Sequence, residues 1–86
     1  MEITAVLRDL RAKLGAEREA FLRERLAGAE NLSAGERERI GKLADEMLEK
    51  LVINPVARLR DSRELRRRVA DLEAVRRLFG LDQEKQ

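Results

Sequence analysis

The chain of 86 residues contains no cysteine and no histidine. A disulfide framework, a thiolate nucleophile and an imidazole base or ligand are therefore excluded, and with them most zinc, catalytic-triad and pH-switch chemistry. Tryptophan and tyrosine are also absent, and Phe21 and Phe79 are the only aromatic residues. The stacking platforms that hold single-stranded nucleic acid are missing as a result. The five glycines, Gly15, Gly28, Gly35, Gly41 and Gly80, are scattered rather than gathered into a phosphate loop. No apolar run approaches the length of a membrane span, and Glu2, Arg8 and Asp9 near the start do not fit a secretory signal. A soluble, cytoplasmic protein is expected.

What the chain has is charge: 42% of its residues are Asp, Glu, Lys or Arg, yet the formal net charge is only +2. Dense, balanced charge is the pattern of helices laced with ion pairs. The apolar residues keep helical spacing throughout, and no alternating Val/Ile/Thr run marks a strand. The expected fold is all-α: one domain over residues 1–86, a bundle of three long helices plus a short helix after a proline corner. At this size a single core is thin and gains from a partner.

The first helix is expected from a cap near Thr4 to about Ala27, with Gly28 as a left-handed ending and residues Ala29 to Leu32 as a short loop. Its residues Ile3, Leu7, Leu10 and Leu14 form a seam with no obvious partner inside the chain, which favours self-association over a monomeric bundle in which the last helix covers the seam. The second helix opens at Ser33, where Glu36 three residues on makes a capping box. Ile40, Leu43, Ala44, Met47, Leu48, Leu51 and Val52 follow as one wide apolar face. Asn54 should leave the α region ahead of Pro55, act as a cap and turn the chain. Val56 and Leu59 give one further turn before a break with a new cap at Asp61 or Ser62. The last helix carries Leu65, Val69, Leu72, Val75 and Phe79, stops at Gly80, and folds Leu81 back onto Val75. The polar tail from Asp82 to Gln86 should fray.

No constellation supports catalysis. The Glu-x-x-His spacing of a di-metal bundle cannot occur without histidine, and Glu46 and Glu49 read as surface partners of Lys42 and Lys50. No cofactor and no metal is expected. The densest cluster, Arg58 to Arg68, places Arg60, Arg63 and Arg67 on one face if the helix is continuous, a strip able to meet RNA phosphates or a partner protein. A solvated, partly paired face, with Glu64 beside Arg68, accounts for the same residues.

The order Leu32-Ser33-Ala34-Gly35-Glu36-Arg37-Glu38-Arg39-Ile40, then Asn54-Pro55 with Leu59-Arg60, then Leu72-Glu73-Ala74-Val75-Arg76-Arg77-Leu78-Phe79-Gly80-Leu81-Asp82 resembles the C-terminal dimerisation domain of glutamyl-tRNA reductase. The resemblance covers roughly Leu10 to Asp82. It implies a helical domain after a long spinal helix, holding two subunits in a V-shaped dimer. The parent enzyme reduces glutamyl-tRNA with NADPH to glutamate-1-semialdehyde for tetrapyrrole (porphyrin) synthesis, in upstream domains that this sequence lacks. The family's usual His-x-Pro-Thr is replaced by Ile53-Asn54-Pro55-Val56, which exchanges side-chain hydrogen bonds for apolar packing. The chain is expected to be an excised domain or a separately encoded relative, and Met1 leans towards the latter. The expectation is a non-catalytic homodimer, with Leu7, Leu10, Leu14, Met47, Leu51, Leu72 and Phe79 as interface or core. The alternative is a small adaptor that binds RNA, tRNA included, or a partner protein through residues 58–68.

Overall fold

The computed structural model describes residues 3–62 and 64–81. The described residues form four α-helices and no strand: α1 (Ile3–Arg25), α2 (Ala34–Leu48), α3 (Asn54–Ala57) and α4 (Leu65–Leu78). Thr4 lies inside the first turn of α1 rather than capping it. The end of α1 also differs from expectation, because Gly28 does not take a positive φ; Gly80 alone does so among the described residues. The turn is closed instead by Ala29 N–H on Leu26 O at 3.0 Å, and Arg37 Nη2 donates to Ala29 O at 2.6 Å. With those carbonyls satisfied by ordinary turns, no left-handed residue is needed.

The expected capping box is present at the start of α2. Glu36 N–H donates to Ser33 Oγ at 3.1 Å, and Ser33 N–H donates to Glu36 Oε1 at 2.8 Å. The expected stop and corner at Asn54-Pro55 are not. Asn54 stays helical, at φ −61° and ψ −46°, and donates to Glu49 O five residues back. A proline ring in an α-helix collides with the carbonyl four residues before it. A π-turn over Glu49–Ile53 makes room by adding a residue to the turn, so the backbone continues into α3 with Pro55 in its first turn. In a uniform α-helix Ile53 would lie about 140° round from Leu48. The wide turn reduces that angle, and Ile53 and Val56 are both buried.

A tight 3₁₀ turn at Arg58–Asp61 leads to Ser62, which is extended and breaks the helix as expected. The cap of α4 is Glu64 rather than Asp61 or Ser62, and its side chain makes no capping bond. Arg68 Nη1 donates to Ser62 O at 3.1 Å, which spans the break. At the far end Leu81 N–H reaches Arg76 O at 2.9 Å and Gly80 N–H reaches Arg77 O at 3.3 Å, with Gly80 at φ 67°. These are the two bonds of a Schellman ending, and they deliver Leu81 to the core beside Val75. The expectation for Asp82 to Gln86 lies outside the described residues.

The core consists of Val6, Leu10, Ile53, Val56, Leu72, Val75 and Leu81, with Ile3, Leu7, Leu14, Val52, Leu59 and Phe79 packed against it. The seam of α1 therefore has an internal partner after all: α4 and the turns around Pro55 cover it. This is the less favoured of the two readings of the seam, the one in which the last helix covers it; spacing alone could not choose it, because α4 returns to α1 across some sixty intervening residues. An ion pair is set into this packing, with Arg76 Nη1 3.0 Å from Asp9 Oδ2 and the Arg76 side chain 7% exposed.

The capping hydrogen bonds, first the Ser33 N–H and then its hydroxyl, hold the Glu36 carboxyl below its ordinary pKa. A carboxyl lowered by folding adds stability above its unfolded pKa and loses that contribution as pH falls through the folded value. Gln can keep the same bond without titrating. The difference in melting temperature between the native chain and Glu36→Gln should therefore shrink as pH falls from about 6 to below about 4, a trend that circular dichroism melts across that range will check.

Candidate self-association surface

The core lies at one end of the molecule, against the first half of α1. Further along, Arg18 and Leu22 of α1 face α2 across an open groove, and a two-helix hairpin cannot enclose the apolar faces of both helices. Its axis is fixed by charge and by a close approach. Arg18 Nε lies 2.7 Å from Asp45 Oδ1, aligned as an ion pair rather than as a hydrogen bond. The same guanidinium crosses Gly41, where an added Cβ would stand 3.1 Å from Arg18 Nη2. One turn lower Arg11 pairs with Glu49, which is thus drawn to α1. Lys42 pairs with Glu38 at 3.8 Å. The sequence reading of Glu46 and Glu49 beside Lys42 and Lys50 is corrected accordingly. Glu46 and Lys50 have no ion-pair partner among the described residues.

Outside this contact α2 and the π-turn that continues it present Leu43, Met47 and Leu51, four residues apart and 55%, 61% and 67% exposed. Beside this row runs an open groove of about 380 Å³ between the helices, lined by Leu14, Phe21 and Leu22 of α1 with Glu17 and Arg18, and by Ala44, Met47 and Leu48 of α2. Phe21 forms its outer lip, with the Arg25 guanidinium 5.2 Å from the ring centre. Side chains of this size at regular spacing in the open are the observation that calls for a partner.

The seven apolar candidates from the sequence divide. Leu10 and Leu72 are core, at 0% and 1% exposure; Leu7, Leu14 and Phe79 are half-buried at the core's edge; Met47 and Leu51 are in the open. A charge at Leu10 would therefore act on folding before it acted on association. Sequence reasoning did not single out Leu43 or Phe21 for this surface. Leu43 stands four residues before Met47, a signal that was available, whereas the role of Phe21 depends on how the hairpin closes. The basic strip is not assembled: Ser62 interrupts the helix between Arg60 and Arg67, both exposed, and Arg63 lies outside the described residues.

Residues 1–81 match the family model described as glutamyl-tRNA(Glu) reductase, dimerisation domain. The chain belongs to this family. The matched part is the domain that joins subunits, not the catalytic part of that enzyme. No curated protein and no solved structure matches the chain. No helix among the described residues is long and apolar enough to cross a membrane.

The division into core and surface has a direct measure. Leu72→Ala should cost about 2–5 kcal/mol in urea unfolding, as expected for a buried leucine that leaves a cavity. Met47→Ala, compared at a dilution where the chain is monomeric, should stay within about 0.5 kcal/mol of the native chain.

Proposed function

We propose that this chain is a non-catalytic module that holds two copies of itself together, as a homodimer of the glutamyl-tRNA reductase dimerisation type. The observation that carries this reading is the surface that the single chain leaves uncovered. The chain is a slab of 52 × 28 × 15 Å with a radius of gyration of 15.8 Å, against about 12 Å for a compact domain of this length. Its accessible surface is 6740 Å², about 1,500 Å² more than expected for a compact monomer of its 9.9 kDa mass. A standard interface takes roughly 800 Å² from each partner. The excess is large enough for one, and the row Leu43, Met47, Leu51 supplies the apolar centre.

Assembly rather than chemistry is the role that the residues support. The chain offers no cysteine for a thioester and no glycine-rich turn for a dinucleotide. Its part in glutamyl-tRNA reduction, and so in tetrapyrrole synthesis in the cytoplasm, is to join subunits. The adaptor reading through residues 58–68 has lost its continuous strip and has no observation in its favour.

Light scattering after size exclusion should give the mass of two chains at tens of micromolar; a single-chain mass there overturns the proposal. The melting temperature should rise with protein concentration, because only the folded state associates. Leu51→Glu removes roughly 1.5–3 kcal/mol of burial on each side of a symmetric interface, so dissociation should become easier by about 100-fold or more. Arg67→Glu should leave mass and melting unchanged.

A further inference from the structure

On the reading of the chain as a homodimer, we propose that two copies meet through the outer face of α2 and the π-turn that continues it, running antiparallel, with the two-fold axis passing between the two helices at Met47. The row is symmetric about that residue: Leu43 stands four before it and Leu51 four after, and the helical backbone is unbroken from Ala34 to Ala57. A two-fold axis through Met47, perpendicular to α2, lays Leu43 of each copy against Leu51 of the other, so apolar meets apolar along the whole row.

The charges favour the same arrangement. Helical spacing puts Glu46 and Lys50 on one side of the row and the groove residues Ala44 and Leu48 on the other. An axis perpendicular to α2 brings like flanks together with their direction reversed. Glu46 of each copy then lies between Lys50 and Glu46 of the other, so that the two lysines offset the approach of the two carboxylates, and neither residue has an ion-pair partner among the described residues of its own chain. The helix dipoles oppose, and the two grooves, with Phe21 on each, lie on the same side of the pair. An axis parallel to α2 exchanges the flanks instead. It would set Glu46 and Lys50 against the partner's groove, where Leu14, Phe21 and Leu22 take up most of the α1 wall and the charged residues Glu17 and Arg18 are already engaged with Lys13 and Asp45, and would take water from charges that gain no free partner there. The occupant of this face is thus a second copy of the chain, and the uncovered area exceeds the roughly 800 Å² that a dimer of standard size takes from each partner.

The absence of cysteine makes the test clean, since any disulfide must join introduced residues. All three positions are exposed, so the substitutions leave the core intact. Residues four positions from the axis are displaced by about 6 Å along the helix, which puts each about 12 Å from its own counterpart, beyond the roughly 7 Å that a disulfide can span between Cα atoms. Under mild oxidation Met47→Cys should convert to a covalent dimer that reduction reverses. Leu43→Cys and Leu51→Cys should each stay uncrosslinked alone, and a tagged Leu43→Cys co-expressed with an untagged Leu51→Cys should give a covalent pair of mixed size. Efficient self-crosslinking of Leu43→Cys overturns the antiparallel arrangement. A dimeric mass with no crosslink at any of the three positions overturns the assignment of this face, while the homodimer reading stands. A native chain that is monomeric by light scattering overturns both, and leaves the face to some other occupant.

Discussion

The rest of the structure depends on the wide turn ahead of Pro55. A proline in the interior of a helix ordinarily ends or kinks it by collision and by the loss of a donor, at a cost of about 3 kcal/mol. Here the donor of Asn54 reaches back five residues instead of four, and the chain keeps its direction while changing its phase. Two apolar surfaces follow from that change. Ile53 and Val56 turn towards α1 and α4 and complete the core, while Leu43, Met47 and Leu51 remain on the side away from it. A uniform helix with the same residues would present a broad apolar band that no single neighbour could cover. The bulge divides the band between the chain's own interior and a surface offered outward.

Asp9 and Arg76 couple the first and last helices. The pair is largely withdrawn from water, and such a pair gives little net stability over a well-packed apolar replacement, whereas removing one partner alone is costly. Its value lies in register. Arg76 carries the guanidinium that reaches Asp9 and the carbonyl that accepts Leu81 N–H at the Schellman ending. One residue thereby sets the position of α4 along α1 and the return of Leu81 to the core. Arg8, also on Asp9 at 3.2 Å, keeps the second carboxylate oxygen occupied.

Those features that depend on a few consecutive residues could be read from the sequence. The capping box at Ser33 and Glu36, the break at Ser62 and the ending at Gly80 with Leu81 are local hydrogen-bond problems with local solutions. The family was legible for the same reason, because its motifs are short and ordered along the chain. The turn before Pro55 was misread because the rule for the residue before proline assumes a backbone that cannot widen. The seam of α1 was given to a second copy in preference to the last helix because its cover arrives from the opposite end of the chain. Of the surface row, Met47 and Leu51 were identified among seven apolar candidates, but only the packing separates them from Leu10 and Leu72. The pairing of Arg18 with Asp45 across Gly41 could not be inferred at all, since it depends on how two helices lie against each other.

That long-range closure has a consequence during synthesis. Ile3, Leu7, Leu10 and Leu14 leave the ribosome well before Leu72, Val75 and Leu81, which cover them. At typical elongation rates of 5–20 residues per second the interval is roughly 4 to 14 s. Through that time α1 is an amphipathic helix with its sticky side bare, and neighbouring nascent chains on one message carry the same bare side. The timing of translation, and whatever shields the emerging seam, thus bears on whether α4 closes over its own α1 or that of a neighbour.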